Sequence, residues 1–590
     1  MSGLLSRMTG YDPAKGVDDD GAAAASPLGG LVPSQSLAAW AQGRVTRTIR
    51  AVGPYALVVG AAAAVSAATG APDWFTLMAA GGCLAHAGDG VAEHMLHHAK
   101  GGRYHERRLR KFRGEARRGD IRASLSIRAA QREMARLAPA LPPSQAHILL
   151  GTTVHRPAQE VAIDRAQSAL VVAPPQTVKT AFLSRVVLDA PGAVLCTSSR
   201  ADQCRQTIAV RERLGPVLVL DADGRGPGTN FGWDPVAGCR NPMVAMRIAG
   251  AFMAASPRDP SGKDSWHEDR GRRLMQLAFH AAALVGEDIR AVRAWCQDPE
   301  IEQFAKALRH PLAADGWERT LVAMLGQEPE FLNSATTSAE AALGWLDDPE
   351  LAAVACPGPA GLDIAAFLRQ GTGTVYLIGK HRAHGSLTPF FTTFVSEYME
   401  AATALAERQG GRLRIPMTLV LDEAATTARV DLAQWLSVTA GYNITVLVGL
   451  QNIHQLEVHW GGAAQAEVIL SNLTTKIIGG GFTSPSDLER LTVVCGEQRV
   501  WRKENGLKVY SDMRVFPVER IRLLEKQHVL VVHRNAKAVE VRAAVVWEHP
   551  AYAPVVFAGP GEHGPEEADF DVAPYPDAPY PADGPVVGVS

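Results

Sequence analysis

At 590 residues the chain is longer than one ordinary hydrophobic core serves, so two or more domains are expected. Hydrophobic residues at 47% and charged residues at 20% fit a globular protein, and a net charge of −2 gives no average attraction to nucleic acid. The seven cysteines are scattered with no CxxC or CxxH pair, which argues against a zinc site or a secreted disulfide framework and for reduced thiols in a cytoplasmic body. The average charge hides an asymmetry: residues 100–136 are crowded with Arg and Lys, whereas the C-terminal end is acidic.

Residues 1–36 lack an apolar period and hold Asp18–Asp20, an alanine run, Pro27 and Pro33, which predicts disorder. From Ala51 to Gly70 the chain is uncharged over a length that matches the roughly 20 residues needed to cross a bilayer. A weaker apolar stretch, 74–91, comes after Ala71-Pro72-Asp73 and contains His86 and Asp89. The segment 37–100 therefore reads as a transmembrane helical hairpin. Arg44, Arg47 and Arg50 before it, with Lys100, Arg103, Arg107 and Arg108 after it, predict that both flanks face the cytoplasm. A buried Ala/Gly-rich hairpin in a soluble domain is the alternative. Residues 101–150 form a basic stem, which suits anionic lipid of the inner membrane; it has no aromatic interleaving to favour DNA.

Ser168–Val172 reads as a short buried strand, and Ala173-Pro174-Pro175-Gln176-Thr177-Val178-Lys179-Thr180 leads from it into an apolar helix. Strand, eight-residue turn, Lys-Thr and helix is the layout of a Walker A loop. There the lysine meets the β- and γ-phosphates and the hydroxyl holds magnesium. Both glycines of GxxxxGK[ST] are replaced, by Ala173 and Val178. The second change is the sharper one, because a β-branched side chain resists glycine's backbone angles and crowds the phosphate seat. Ser261-Gly262-Lys263 has no apolar strand before it and is set aside.

Met417–Leu421 ends on Asp422-Glu423, an apolar strand closing on two acids as in a Walker B motif. Asp422 would support hydrated magnesium and Glu423 would polarise the attacking water. Ile444–Leu450 ends on Gln451, placed to sense a γ-phosphate or orient water. Runs near 193–196, 216–220 and 375–378 supply further strands with helical stretches between them, which predicts a parallel, doubly wound α/β sheet.

These landmarks together resemble the TraG/TraD family of type IV secretion coupling proteins, within the FtsK/HerA group of RecA-like P-loop motors. The resemblance spans roughly residues 40–550. It is carried in order by the N-terminal hairpin, VVAPPQTVKT, DAPGAVLCTSSRAD, GPVLVLDADG, NFGWDPVAGC, TVYLIGKH, LVLDEAA, VLVGLQNIHQL and LSNLTTKIIGGG. It implies a RecA-like domain in two parts, 151–240 and 366–558, with an all-α domain inserted at 241–365; beyond the resemblance, Glu562, Glu566, Glu567, Asp569, Asp571 and many prolines make 559–590 read as a disordered acidic tail. The resemblance further implies an inner-membrane ATPase, two-pass with its bulk in the cytoplasm, that uses ATP and Mg2+. Such a protein assembles as a homo-hexamer and hands a relaxase-bound single strand of DNA to the channel components of the secretion system. By residue matching, Ala173 to Thr180 form the nucleotide loop, Thr180 and Asp422 hold the metal, and Glu423 and Gln451 are catalytic.

Three functions stay open on the residues alone. An active coupling ATPase is favoured by Glu423. A nucleotide-binding-impaired receptor or scaffold that docks transfer substrates at the membrane is favoured by Val178. A translocator of double-stranded DNA is disfavoured by the long helical insertion before the Walker B strand.

Overall fold

The computed structural model describes residues 114–155, 157–175, 177–256, 265–379, 387–504 and 507–556. The expected membrane hairpin, the first part of the basic stem, Gln176, Ser261-Gly262-Lys263 and the acidic tail lie outside the described residues. Among the described residues no helix is long and apolar enough to cross a membrane.

The described chain opens with two helices, α1 (Arg118–Ser124) and α2 (Ile127–Leu137). Helix α2 starts where the Ser126 hydroxyl accepts the Ala129 N–H at 3.2 Å, a satisfied N-cap. Its sequence turns Ala130 and Met134 inward and Arg128, Arg132 and Arg136 outward, and it packs on strand β2. Strand β1 (His147–Thr153) begins inside the segment read as the stem, and β2 (Glu160–Asp164) pairs with it antiparallel.

These two strands form one edge of an eleven-stranded sheet. It is completed by β3 (Ala169–Val172), β4 (Val194–Ser198), β5 (Val217–Asp221), β6 (Thr374–Ile378), β7 (Met417–Leu421), β8 (Ile444–Leu450), β9 (Thr475–Gly479), β12 (His528–His533) and β13 (Val539–Ala543). The order across the sheet is β2-β1-β13-β12-β9-β3-β8-β7-β4-β6-β5. From β9 to β5 every pairing is parallel; from β9 through β12, β13 and β1 to β2 every pairing is antiparallel. The fold is thus mixed α/β with a large, mostly parallel sheet.

The parallel strands are covered on both faces. In β3, Ala169 and Val171 join one hydrophobic cluster while Leu170 and Val172 join the other. In β7, Val420 faces the first cluster and Leu419 and Leu421 the second. Burial on both faces is why these strands read as unbroken apolar runs rather than as polar–apolar alternation. Helices α3 (Lys179–Leu188) and α4 (Asp202–Arg211) cover one face. The other is backed by helices that include α5 (Pro242–Ala255), α6 (Ser265–Val285), α7 (Pro329–Leu343) and α8 (Thr388–Arg408).

The chain between β5 and β6 is helical wherever it is regular, from α5 to a short helix at Ile364–Arg369. It shares a core with the sheet layer instead of closing a core of its own. Trp233, on the loop after β5, meets Phe394 of α8 edge-on with centroids 5.3 Å apart. Trp345 lies 4.6 Å from Phe390 of α8 and stacks 5.9 Å from Phe252 of α5. Arg247 of α5 adds a two-pronged contact to Glu397 of α8, both distances 2.7 Å.

Candidate nucleotide site

Strands β3, β8, β7 and β4 are neighbours in that order, so the ends of β3, β8 and β7 open side by side. The chain goes from β3 to β4 past two places that β7 and β8 fill later. Ligands of open α/β sheets bind at the carboxyl ends of strands where the connection reverses in this manner. The expected nucleotide loop, acid pair and sensor glutamine leave β3, β7 and β8 at this end.

The loop from β3 to α3 is held at both ends. The Ala173 N–H donates to the Leu450 carbonyl at 3.1 Å, which continues the β3–β8 ladder by one residue. The methyl of Ala173 finds room because strand β9 carries Gly479 opposite, where an added Cβ would come within 2.9 Å of it. The Thr177 hydroxyl donates to the Pro174 carbonyl at 2.6 Å and closes the turn. Pro174 and Pro175 carry no N–H, so two positions of the loop cannot donate to an anion.

Val178 stands just before helix α3 with φ −66° and ψ −8°, ordinary right-handed angles that any residue adopts. Its side chain is buried in the cluster that also holds Phe182 and Leu183. The expected conflict between a β-branched residue and a glycine conformation therefore does not arise in the backbone. Its carbonyl accepts the Phe182 N–H at 2.9 Å, the first bond of the helix.

Lys179 begins α3 and is 6% exposed. Its Nζ lies 2.9 Å from Asp422 Oδ1, at the end of β7, yet it makes no hydrogen bond of good geometry. An ammonium has three donors, and one buried beside the free N–H groups of a helix start is suited to phosphate oxygens. Thr180 comes next and is partly buried. Burial pushes the Asp422 carboxyl above the usual carboxylate range, against the opposing pull of Lys179. A divalent cation at this carboxylate would oppose that shift, as Lys179 does, by favouring the ionised form. The residues present thus fit a magnesium nucleotide: Lys179 and the N–H groups of the α3 start for phosphate, Thr180 and Asp422 for the metal.

The turn after β7 is strained. Glu423 has φ 51° and ψ 45°, the left-handed region that a side chain seldom enters. Hydroxyls hold the turn in place. Thr427, in the short helix α9 (Ala424–Thr427), donates toward the Asp422 carbonyl at 3.1 Å and sits 3.1 Å from the Thr197 hydroxyl of β4. The Glu423 N–H donates to Asp422 Oδ1 at 3.1 Å. From β8, Gln451 Nε2 donates to Glu423 Oε1 at 3.3 Å, and the Gln451 N–H is itself taken by Gln455 Oε1 at 2.9 Å.

The structure thus gathers Ala173–Pro175, Thr177–Thr180, Asp422, Glu423 and Gln451 at one end of the sheet. Sequence reasoning missed Gly449, Gly479 and Gln455. A Cβ at Gly449 would lie 2.9 Å from Asp422 Oδ1, so β8 makes way for the carboxylate there. A glycine inside the apolar strand Ile444–Leu450 was the available signal.

Residues 416–525 match the family model described as the TraM recognition site of TraD and TraG. No curated protein matches the sequence. Among solved structures the chain is similar to the bacterial conjugative coupling protein TrwBdeltaN70. Its unbound monoclinic form matches at 18% identity and a TM-score of 0.51, over 66% of this chain and 88% of that one. The trigonal form in complex with sulphate matches at 17% identity and a TM-score of 0.53, over 75% and 97%. The plasmid coupling protein TrwB in complex with ADP and Mg2+ matches at 19% identity and a TM-score of 0.51, over 65% and 88%. At these identities the likeness to TrwB is one of fold. The chain thus carries, over 416–525, the segment that the model describes in TraD and TraG, on a body whose fold is like that of the TrwB coupling protein.

Proposed function

We propose that the chain is a membrane-anchored coupling ATPase of conjugation, which passes relaxase-bound single-stranded DNA to a type IV secretion channel and works as a homo-hexamer. The buried Lys179–Asp422 pair at 2.9 Å, with Glu423 and Gln451 beside it, is the observation that carries this reading. Solved TrwB structures hold ADP with Mg2+ and a non-hydrolysable ATP analogue, which supports the choice of nucleotide. The TraM recognition description of residues 416–525 supports a partner among the proteins that mark transfer DNA. The uncharged stretch Ala51–Gly70 and its basic flanks support the anchor in the inner membrane.

When bound, a magnesium nucleotide supplies a phosphoanhydride whose hydrolysis drives movement. The chain's own groups have separable tasks. Lys179 and the first N–H groups of α3 bind phosphate charge in a site of low dielectric, where each contact counts for more than in water. Asp422, already carrying one cation, holds a second only if the lysine swings from it to phosphate. Glu423 accepts a proton from water, and Gln451 keeps its carboxylate aimed through the 3.3 Å bond.

The full chain in detergent, titrated with labelled ATP and Mg2+, tests this directly. Binding with DNA-stimulated turnover is expected. Glu423→Gln should keep the binding and lower turnover by about 10²–10⁴-fold, the usual weight of a general base. Full-length protein should fractionate with membranes, and removal of residues 1–100 should release it. The second reading, a nucleotide-impaired receptor or scaffold that docks transfer substrates, is favoured by Pro174 and Pro175, which take two donors from the loop. Absence of ATP binding by the full chain would establish that reading and sink the motor.

A further inference from the structure

Between β9 and β12 the chain leaves the large sheet, forms helix α10 (Pro485–Cys495) and a two-stranded ribbon of β10 (Glu497–Glu504) and β11 (Leu507–Arg514), and returns through a short helix, Val518–Arg522. A side chain of this excursion, Asp487, reaches the turn that follows β8. Ser484 caps α10, its hydroxyl accepting the Asp487 N–H at 3.4 Å. An acid three places past a serine cap ordinarily turns back to the N–H of the cap itself. The Asp487 carboxylate turns the other way: its Oδ2 accepts the Ile453 N–H at 3.3 Å, across 34 positions of chain. Asp487 is 3% exposed, and burial pushes its carboxyl above the usual range, against the pull of that N–H and of Arg490. Capping alone does not account for an acid held there at that cost, since a neutral Asn or Ser accepts an N–H as well.

The turn that Asp487 holds carries the sensor glutamine. Ile453 opens the short helix His454–His459 and, being apolar, supplies no side-chain cap. Other side chains take the N–H groups of the turn. Gln455 Oε1 accepts that of Gln451 at 2.9 Å, Asp487 that of Ile453, and Asn452 Oδ1 that of Gln455 at 3.0 Å. The bonds within 451–455 close the turn on itself, whereas the bond to Asp487 ties it to another element. From this turn Gln451 Nε2 reaches Glu423 Oε1. We propose that Asp487 is a positioning residue of the nucleotide site: through the Ile453 N–H it fixes the turn from which Gln451 aims the Glu423 carboxylate at water. A displacement of about 1 Å at reacting groups is worth about a hundredfold in rate, so a bond two residues from Gln451 is felt at the site.

The assignment rests on the ATPase reading and adds a residue that lies outside its motifs. Its test is steady-state hydrolysis of magnesium ATP by the full chain in detergent with DNA, kcat and KM being read separately. Asp487→Ala should lower kcat by about tenfold or more and leave KM within about threefold of the parent, since Lys179, Thr180 and Asp422 keep their places. Asp487→Asn keeps an acceptor at the same reach and should hold kcat within about threefold of the parent. Added to Gln451→Ala, Asp487→Ala should cost less than about twofold more, because a residue that acts through Gln451 then has nothing left to position. Melting curves establish that each variant is folded, and Asp487→Leu, which keeps the volume without the acceptor, replaces alanine if alanine unfolds. If neither stays folded, Asp487 is a structural residue and the assignment falls. Parental kcat in Asp487→Ala or in Gln451→Ala overturns it and leaves the ATPase reading standing. A loss that Asp487→Asn shares, or one that adds in full to that of Gln451→Ala, overturns it as well. A parent chain without turnover sinks the ATPase reading, and the positioning with it.

Discussion

Two turns leave buried parallel strands at the nucleotide end of the sheet, and their backbones are in opposite states. After β3 the chain passes through Val178 in ordinary helical angles and enters α3 without strain. After β7 it passes through Glu423 with φ 51°, pinned by the Thr427 hydroxyl and by Gln451. The first turn departs furthest from a standard phosphate-loop pattern, yet its conformation accepts the residues present. The second keeps its expected acids, yet holds one in a conformation that costs about 1–2 kcal/mol for an L-residue. Strain at this end of the sheet belongs to the turn that carries the acid pair, not to the loop after β3. A glycine missing from a pattern is thus informative about shape only after the backbone angle at its position is known.

Three substitutions sharpen that contrast, beginning with the largest effect. Gly449→Ala drives a methyl toward Asp422 Oδ1 from 2.9 Å and should lower affinity for magnesium nucleotide by about tenfold or more, at the 1–3 kcal/mol typical of overpacking. Calorimetric titration reads this, and unaltered affinity would mean that Asp422 has no part in binding. Val178→Gly removes a buried side chain from the core and should cost about 2 kcal/mol of stability, read as a lower denaturation midpoint. Because its backbone already has common angles, nucleotide affinity should change by less than about threefold. A gain of tenfold or more would break the comparison and place the defect in the loop after all. Glu423→Gly should stabilise the fold by about 1 kcal/mol, the smallest change in stability of these, while lowering turnover by the same factor of about 10²–10⁴ expected of Glu423→Gln. A loss of stability would mean that the bond from Gln451 outweighs the strain.

The same contrast marks how far the site was legible beforehand. Lys179, Asp422, Glu423 and Gln451 could be found because each ends or succeeds an apolar run, and the run is visible in the chain. Gly449 and Gly479 could not be assigned a purpose, since each makes room for a group on a neighbouring strand, Asp422 in one case and Ala173 in the other. Gln455 was hidden because it acts through the Gln451 N–H. The ribbon at Glu497–Arg514 went unread: its polar and aromatic alternation shows no buried face, and only the register brings Trp501 opposite Tyr510.

By itself the sequence determined the seven parallel strands' character, because a strand buried on both faces must be apolar throughout, and which charged and polar side chains stand beyond their carboxyl ends. Tertiary structure decided the rest. It chose the order β9-β3-β8-β7-β4-β6-β5, which joins Lys179 to Asp422 across 243 positions of chain, and added an antiparallel flank of β12, β13, β1 and β2. It also decided that the backbone is unstrained at Val178 and strained at Glu423. Backbone angles at a turn are set by what the flanking strand and helix demand of their ends, and those demands come from neighbours distant in the chain.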